Sequence, residues 1–153
     1  GGIRVPLIAR WPGTIAAGAE SSLISAHWAV LPTRCELAGA KTPEELDGIS
    51  MVPTLSGKGT QQPHEFLYWE FPSVGGKQAV RMGKWKGVRL NLFKNPKAKL
   101  ELYDLSQDLG EKNNIAAEHP DVVRKLEKAL AVSHVRSETF PLFGYERTPK
   151  KKK

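Results

Sequence analysis

The sequence predicts an α+β fold: a four-stranded antiparallel meander packed against a C-terminal helix, preceded by a strand and a helix of a larger α/β domain. Three observations carry the prediction. Residues 65–71, 78–82, 85–92 and 100–105 are short, β-prone and closely spaced, and sequential strands with short connections pair as a meander. Val122, Val123, Leu126, Ala129 and Leu130 recur at helical spacing and form one apolar stripe that a sheet face would cover. Residues 3–11 and 26–38 carry further apolar segments with no strands nearby to join them.

Taken in order, residues 3–11 are apolar and β-branched and stop at Pro12-Gly13, so they read as a strand. Pro6 cannot donate to a ladder and confines the first half to an edge or a strand start. Residues 26–38 read as a helix with Ser25 as N-cap and Gly39 as its stop. Val30, Leu31, Cys35, Leu37 and Ala38 would form its apolar face. The Gly-, Ser- and Gln-containing stretch 56–63 is a boundary. It divides the chain into 1–57, the end of a larger α/β domain, and 58–145, the meander and its helix. Residues 146–153 form a basic tail, expected to be disordered. In the second region Gly83-Lys84 turns one strand into the next, and Pro120 with Asp121 starts the last helix. Phe140, Leu142, Phe143 and Tyr145 are too many large apolar groups for a free tail and should dock on the domain.

Composition narrows the function classes. Of 153 residues, 40% are hydrophobic, a globular proportion, and no apolar run is long enough to span a bilayer. The net charge is +7, but positions 150–153 are all lysine, so the basic pI is no nucleic-acid footprint. Cys35 is the single cysteine and reads as a small buried hydrophobe. His27, His64, His119 and His134 are scattered singly, without metal-ligand spacing. A phosphate-binding loop, a GxSxG elbow and an EF-hand loop are all absent.

The ordered motifs resemble a known family. They begin with Gly1-Gly2-Ile3-Arg4-Val5-Pro6 and Trp11-Pro12-Gly13, then Val30-Leu31-Pro32-Thr33 with Glu36-Leu37-Ala38-Gly39. Asp47-Gly48-Ile49-Ser50, Pro53-Thr54-Leu55 and Leu67-Tyr68-Trp69-Glu70-Phe71 follow. The hairpin Gln78-Ala79-Val80-Arg81-Met82-Gly83-Lys84-Trp85-Lys86 and Leu102-Tyr103-Asp104-Leu105 with Asp108, Gly110 and Glu111 complete the set. This series is similar to the C-terminal portion of type I, formylglycine-dependent sulfatases, and most like their N-acetylgalactosamine-6-sulfatase-like members.

The resemblance implies an alkaline-phosphatase-like domain as the home of the first segment. It implies a parent enzyme that hydrolyses sulfate esters on carbohydrates, with Ca²⁺ and a formylglycine residue as its cofactors. The catalytic C/S-x-P-S-R motif of the family is absent here, and Cys35 is followed by Glu36-Leu37-Ala38. No catalytic or metal residue is therefore carried over, and the chain is expected to be an inactive fragment by itself. Its implied partner is the N-terminal catalytic domain of the same sulfatase, with a sulfated carbohydrate as ligand; nucleic acid and membrane are not expected partners. Members of the family are often periplasmic or secreted, and this stretch of sequence does not decide the location of the parent. Ala29 replaces the family's usual Asp near the helix start, and Leu109 its usual Pro.

One feature of the meander bears on substrate. Up-down alternation puts loops 72–77 and 91–99 at the same end of the sheet, and that end carries Lys77, Lys94, Lys97 and Lys99. Long cationic side chains suit the rim of a cleft for a sulfated glycan; the plainer alternative is ordinary solubilising lysines. Trp69, Trp85, Arg4 and Arg81 read as structural residues. Two other readings of the chain stay open: a free-standing module that binds sulfated glycans or other polyanions, and a purely structural domain.

Overall fold

A computed structural model describes residues 2–146; of the tail expected over 146–153 only Glu146 is described, and it is buried in a 3₁₀ turn, while 147–153 lie outside the described residues. The chain divides into two compact units, Gly2–Glu65 and a second that runs from Phe66 onward.

The second unit is the meander. Strands β1 (Leu67–Phe71), β2 (Lys77–Met82), β3 (Trp85–Leu90) and β4 (Glu101–Asp104) pair antiparallel in the order β1-β2-β3-β4. The register sets Tyr68 against Val80, Val80 against Gly87 and Gly87 against Leu102. These four positions share one sheet face, since side chains alternate along each strand. The final helix, numbered α3 (Pro120–Ser133), lays its stripe on that face. Val122, Leu126, Ala129 and Leu130 pack there with Val80, Leu100 and Leu102 in one buried cluster. Gly87 is needed under the helix: a Cβ there would come within 3.1 Å of the Leu126 and Leu100 methyl groups. Pro120 occupies the first turn of α3, where its missing N–H costs nothing. A smaller core holds Leu92, Leu142 and Phe143 with Ala98. The expected docking of the C-terminal segment thus holds for Leu142 and Phe143, while Phe140 and Tyr145 stay 66% and 71% exposed.

The first unit departs from its expectations in detail. Residues 3–11 form no strand: a ladder needs a partner, and none among the described residues pairs with them. Val5, Leu7 and Ile8 are accordingly exposed, Ile8 by 91%. The helix foreseen over 26–38 splits into a 3₁₀ turn, His27–Ala29, and α1, Val30–Leu37. Ser25 does not cap it; no side chain does. Pro32 explains the late start, because it suits an early turn and not a helix interior. The buried side of α1 is Pro32 and Thr33, whereas Leu31 and Leu37 are close to half exposed. Cys35 is only part-buried. Gly39 ends the helix in the left-handed conformation as expected, at φ +64°. A further short helix, α2 (Val52–Ser56), follows.

Thr33 organises this unit. Its hydroxyl donates to the Ala29 carbonyl at 2.7 Å and accepts the Met51 N–H at 2.9 Å, all buried. Gln61 closes the other side. Its Oε1 accepts from the Thr54 N–H and hydroxyl, and its Nε2 donates to the Ser50 carbonyl.

Candidate functional site

The loop end of the sheet is built by glycine chemistry. Gly75 and Gly76 have φ of +91° and +74°, a region that favours glycine. They let loop 72–76 meet the β3–β4 loop: Phe93 N–H donates to the Gly75 carbonyl at 2.9 Å, and Leu92 N–H to that of Gly76 at 3.1 Å. A Cβ on Gly76 would lie 2.7 Å from the Phe93 ring and 2.9 Å from the Leu142 carbonyl oxygen. The two loops and the C-terminal segment are therefore packed backbone to backbone.

Lys94, Lys97 and Lys99 are exposed on the β3–β4 loop, and Lys77 opens β2 at the same end, part-buried. The Lys77 ammonium sits 5.9 Å from the centre of the Phe71 ring, a cation–π contact. The Asn91 carbonyl, at φ +60°, accepts from the N–H groups of Lys94 and Asn95, and the Asn95 carbonyl from that of Ala98. This turn holds the lysine-bearing loop in a defined shape while its side chains face solvent.

Trp85 and Arg81 make structural contacts. Trp85 packs against the helix-side core, tilted on His119 at 4.9 Å. Arg81 donates from Nε to the Gly83 carbonyl, and Arg4 is exposed.

One cluster escaped the sequence reading. His134, immediately after α3, bonds through Nδ1 to Glu70 Oε1 at 2.6 Å and through Nε2 to Glu146 Oε1 at 2.8 Å. Glu146 Oε2 accepts the N–H groups of Leu142 and Phe143. The Tyr68 hydroxyl donates to Glu70 and accepts from Gln78 Nε2. Burial opposes the imidazolium, yet the two carboxylates outweigh it and raise the His134 pKa. Burial likewise opposes the Glu146 carboxylate, and the backbone N–H groups and His134 overcome it to lower its pKa. Burial first and the Glu70 carboxylate second push the Tyr68 hydroxyl up. Sixty-four residues separate Glu70 from His134, so no local spacing signals the pair; only the fold brings them together.

On the sheet's other face Lys86 is buried and bonds Glu111 at 2.6 Å. Burial opposes ionisation of Glu111, but the Lys86 ammonium lowers its pKa. This is a structural ion pair. Among the described residues no three His, Cys, Asp or Glu side chains converge on a point that could hold a metal ion. Cys35 lies within α1, in surroundings unlike the formylglycine motif. Calcium and formylglycine therefore do not fit the residues described. No helix among the described residues is long and apolar enough to cross a membrane.

Comparison with known proteins gives this arrangement a family. The model of the family described as N-sulphoglucosamine sulphohydrolase, C-terminal, matches residues 1–136. Human arylsulfatase A is 35% identical over 169 aligned residues, covering 94% of this chain and 33% of the relative. An N-acetylglucosamine-6-O-sulfatase from Bacteroides thetaiotaomicron is 33% identical over 120 residues, covering 73% of this chain and 21% of the relative. Among solved structures, one determined in complex with its substrate D-glucosamine-2-N,6-O-disulfate superimposes with a TM-score of 0.66 at 27% identity. That match covers 81% of this chain and 26% of the other. The chain thus spans about a third or less of the curated relatives it matches.

Proposed function

Because this chain belongs to the N-sulphoglucosamine sulphohydrolase C-terminal family of sulfatase domains, we propose that it serves a complete sulfatase acting on sulfated carbohydrates. In that role it carries none of the chemistry: it braces the fold and contributes Lys77, Lys94, Lys97 and Lys99 to the rim of the substrate cleft. The N-terminal catalytic domain of the same protein is its partner and supplies the calcium ligands and the formylglycine. The observation that supports this most is the likeness to a structure holding a disulfated glucosamine, which extends over 81% of this chain. The lysine-bearing end supports the rim role, since three of its four lysines are exposed on one loop of fixed shape.

The test uses the complete protein, assayed for sulfate release from sulfated hexosamines and their oligosaccharides. Replacing Lys94, Lys97 and Lys99 together with alanine should raise KM several-fold for oligosaccharides and leave kcat unchanged, because rim charges act on binding and not on the reacting bond. An unchanged KM would remove the rim role. Salt-sensitive binding of sulfated glycans by the 153-residue chain alone would instead favour a free-standing binding module.

A further inference from the structure

His134 lies between two carboxylates, one on β1 and one on the C-terminal 3₁₀ turn Gly144–Glu146. A neutral imidazole has one N–H donor and one lone pair, so it can satisfy only one of the two. Both ring nitrogens sit within 2.8 Å of a carboxylate oxygen, and with both carboxylates ionised only the doubly protonated ring donates to both. The groups facing the ring are Glu70 and the Tyr68 hydroxyl beyond it from β1, Glu146 from the turn, and the Phe143 ring edge at 4.9 Å.

What the clasp holds is specific. Glu146 receives His134 on one oxygen and the Leu142 and Phe143 amides on the other. Leu142 and Phe143 form the small core with Leu92, next to the lysine-bearing loop. The chain there leaves no slack: a Cβ on Gly144 would lie 2.5 Å from the Phe93 carbonyl oxygen.

We propose that His134 is a proton-operated positioning residue: protonated, it ties Glu146 to Glu70 and seats residues 142–146 against the loops bearing the lysines; deprotonated, it lets that segment go. The directions of titration agree. With its pKa raised, His134 contributes fully below its ordinary 6.5 and is lost as pH rises through the higher folded value. With its pKa lowered, Glu146 contributes above its ordinary 4.5 and is lost as pH falls through the lower folded value. The clasp is therefore at full strength between 4.5 and 6.5, and it opens only as pH rises through the raised His134 value or falls through the lowered Glu146 value. Its consequence for a sulfated ligand rests on the function proposed above; the clasp itself does not, and its test needs no ligand.

The test is an NMR titration of the 153-residue chain. The His134 ring nitrogens should titrate above 6.5, and the Leu142 and Phe143 amides should shift with the same midpoint while Val80 and Leu102 stay still. Titration at or below 6.5, or amides that do not follow, would overturn the clasp. His134→Gln should hold the two amides at their released position throughout, with Val80 and Leu102 unmoved. Glu146→Gln should move the His134 midpoint down towards 6.5; an unmoved midpoint counts against the proposal. The wild-type and Glu146→Gln titrations decide the matter even where His134→Gln does not fold.

Discussion

Residues 66–146 and residues 2–65 solve the same problem with different means. In the first region, a helix stripe and a sheet face exclude water from Val80, Leu102, Leu126 and Leu130, each at most 1% exposed. In the second, only Ala29, Pro32, Thr33 and Met51 are buried among the described residues. Val5, Leu7, Ile8, Trp11, Leu31 and Leu37 remain exposed there. One region is held by apolar area, which is non-directional and sums over many contacts. The other is held by a few directional bonds to Thr33 and Gln61. The lesson is where each should fail: the first by losing volume, the second by losing a single hydroxyl.

The largest effect expected is therefore at Leu126, fully buried on α3 and packed over Gly87 on the sheet face beneath it. Leu126→Ala should cost about 2–5 kcal/mol, the transfer loss plus a cavity. Urea denaturation measures the loss, and hydrogen exchange locates it. The sheet amides of β2 and β3 should lose protection, while α1 amides should exchange faster than these already in the wild type. Equal protection in α1 and the sheet would break the comparison.

Much of this contrast is legible in the residues. The α3 stripe is readable because its five apolar positions repeat at helical spacing, and four of them are buried against one continuous face with Val123 packed beside them. The strands are readable because Gly83-Lys84 and the glycines at 75–76 mark their turns. For residues 3–11 the missing partner strands are legible and the outcome is not: apolar, β-branched composition signals a capacity to pair, and without a second strand among the described residues it forms no strand. The α1 face misleads: Leu31 and Leu37 look like core, but Pro32 and Thr33 are turned inward. At the loop end, the gathering of Lys77, Lys94, Lys97 and Lys99 follows from strand alternation alone. The His134 clasp depends on long-range docking of the chain end and leaves no local trace.

A middle-sized effect should sharpen the contrast in the polar unit. Thr33→Val keeps the shape and removes the hydroxyl that accepts the buried Met51 N–H. A buried N–H left without an acceptor costs about 1–3 kcal/mol. The change should appear as faster exchange at Met51 and the α1 amides, with β2 and β3 unaffected. Thr33→Ser retains the hydroxyl and should recover most of the protection. Protection kept in the Val variant and lost in the Ser variant would mean that methyl packing, and not the hydroxyl, holds this unit.

The smallest effect concerns the far end of the meander, where charge supplements the apolar core. Lys84 Nζ bonds Asp104 at 2.7 Å and stands 4.5 Å from the centre of the Trp85 ring. Asp104 Oδ1 also accepts the Ser106 N–H and hydroxyl. Lys84 first and Ser106 next hold the Asp104 carboxyl down to about 2, from 3.8. A depressed carboxylate stabilises the fold above its ordinary value, and that support is lost as pH falls through about 2. The pair is solvent-accessible, with Lys84 52% exposed, so salt screens it and the effect is modest. Asp104→Asn should flatten the acid limb of the unfolding profile between 3.8 and about 2, leaving stability at neutral pH slightly lower. Added salt should shrink the difference between wild type and variant at neutral pH. A salt-independent difference would place the contribution in the Ser106 turn rather than in the Lys84 charge, and the hairpin end would then be held by directional bonds, as residues 2–65 are.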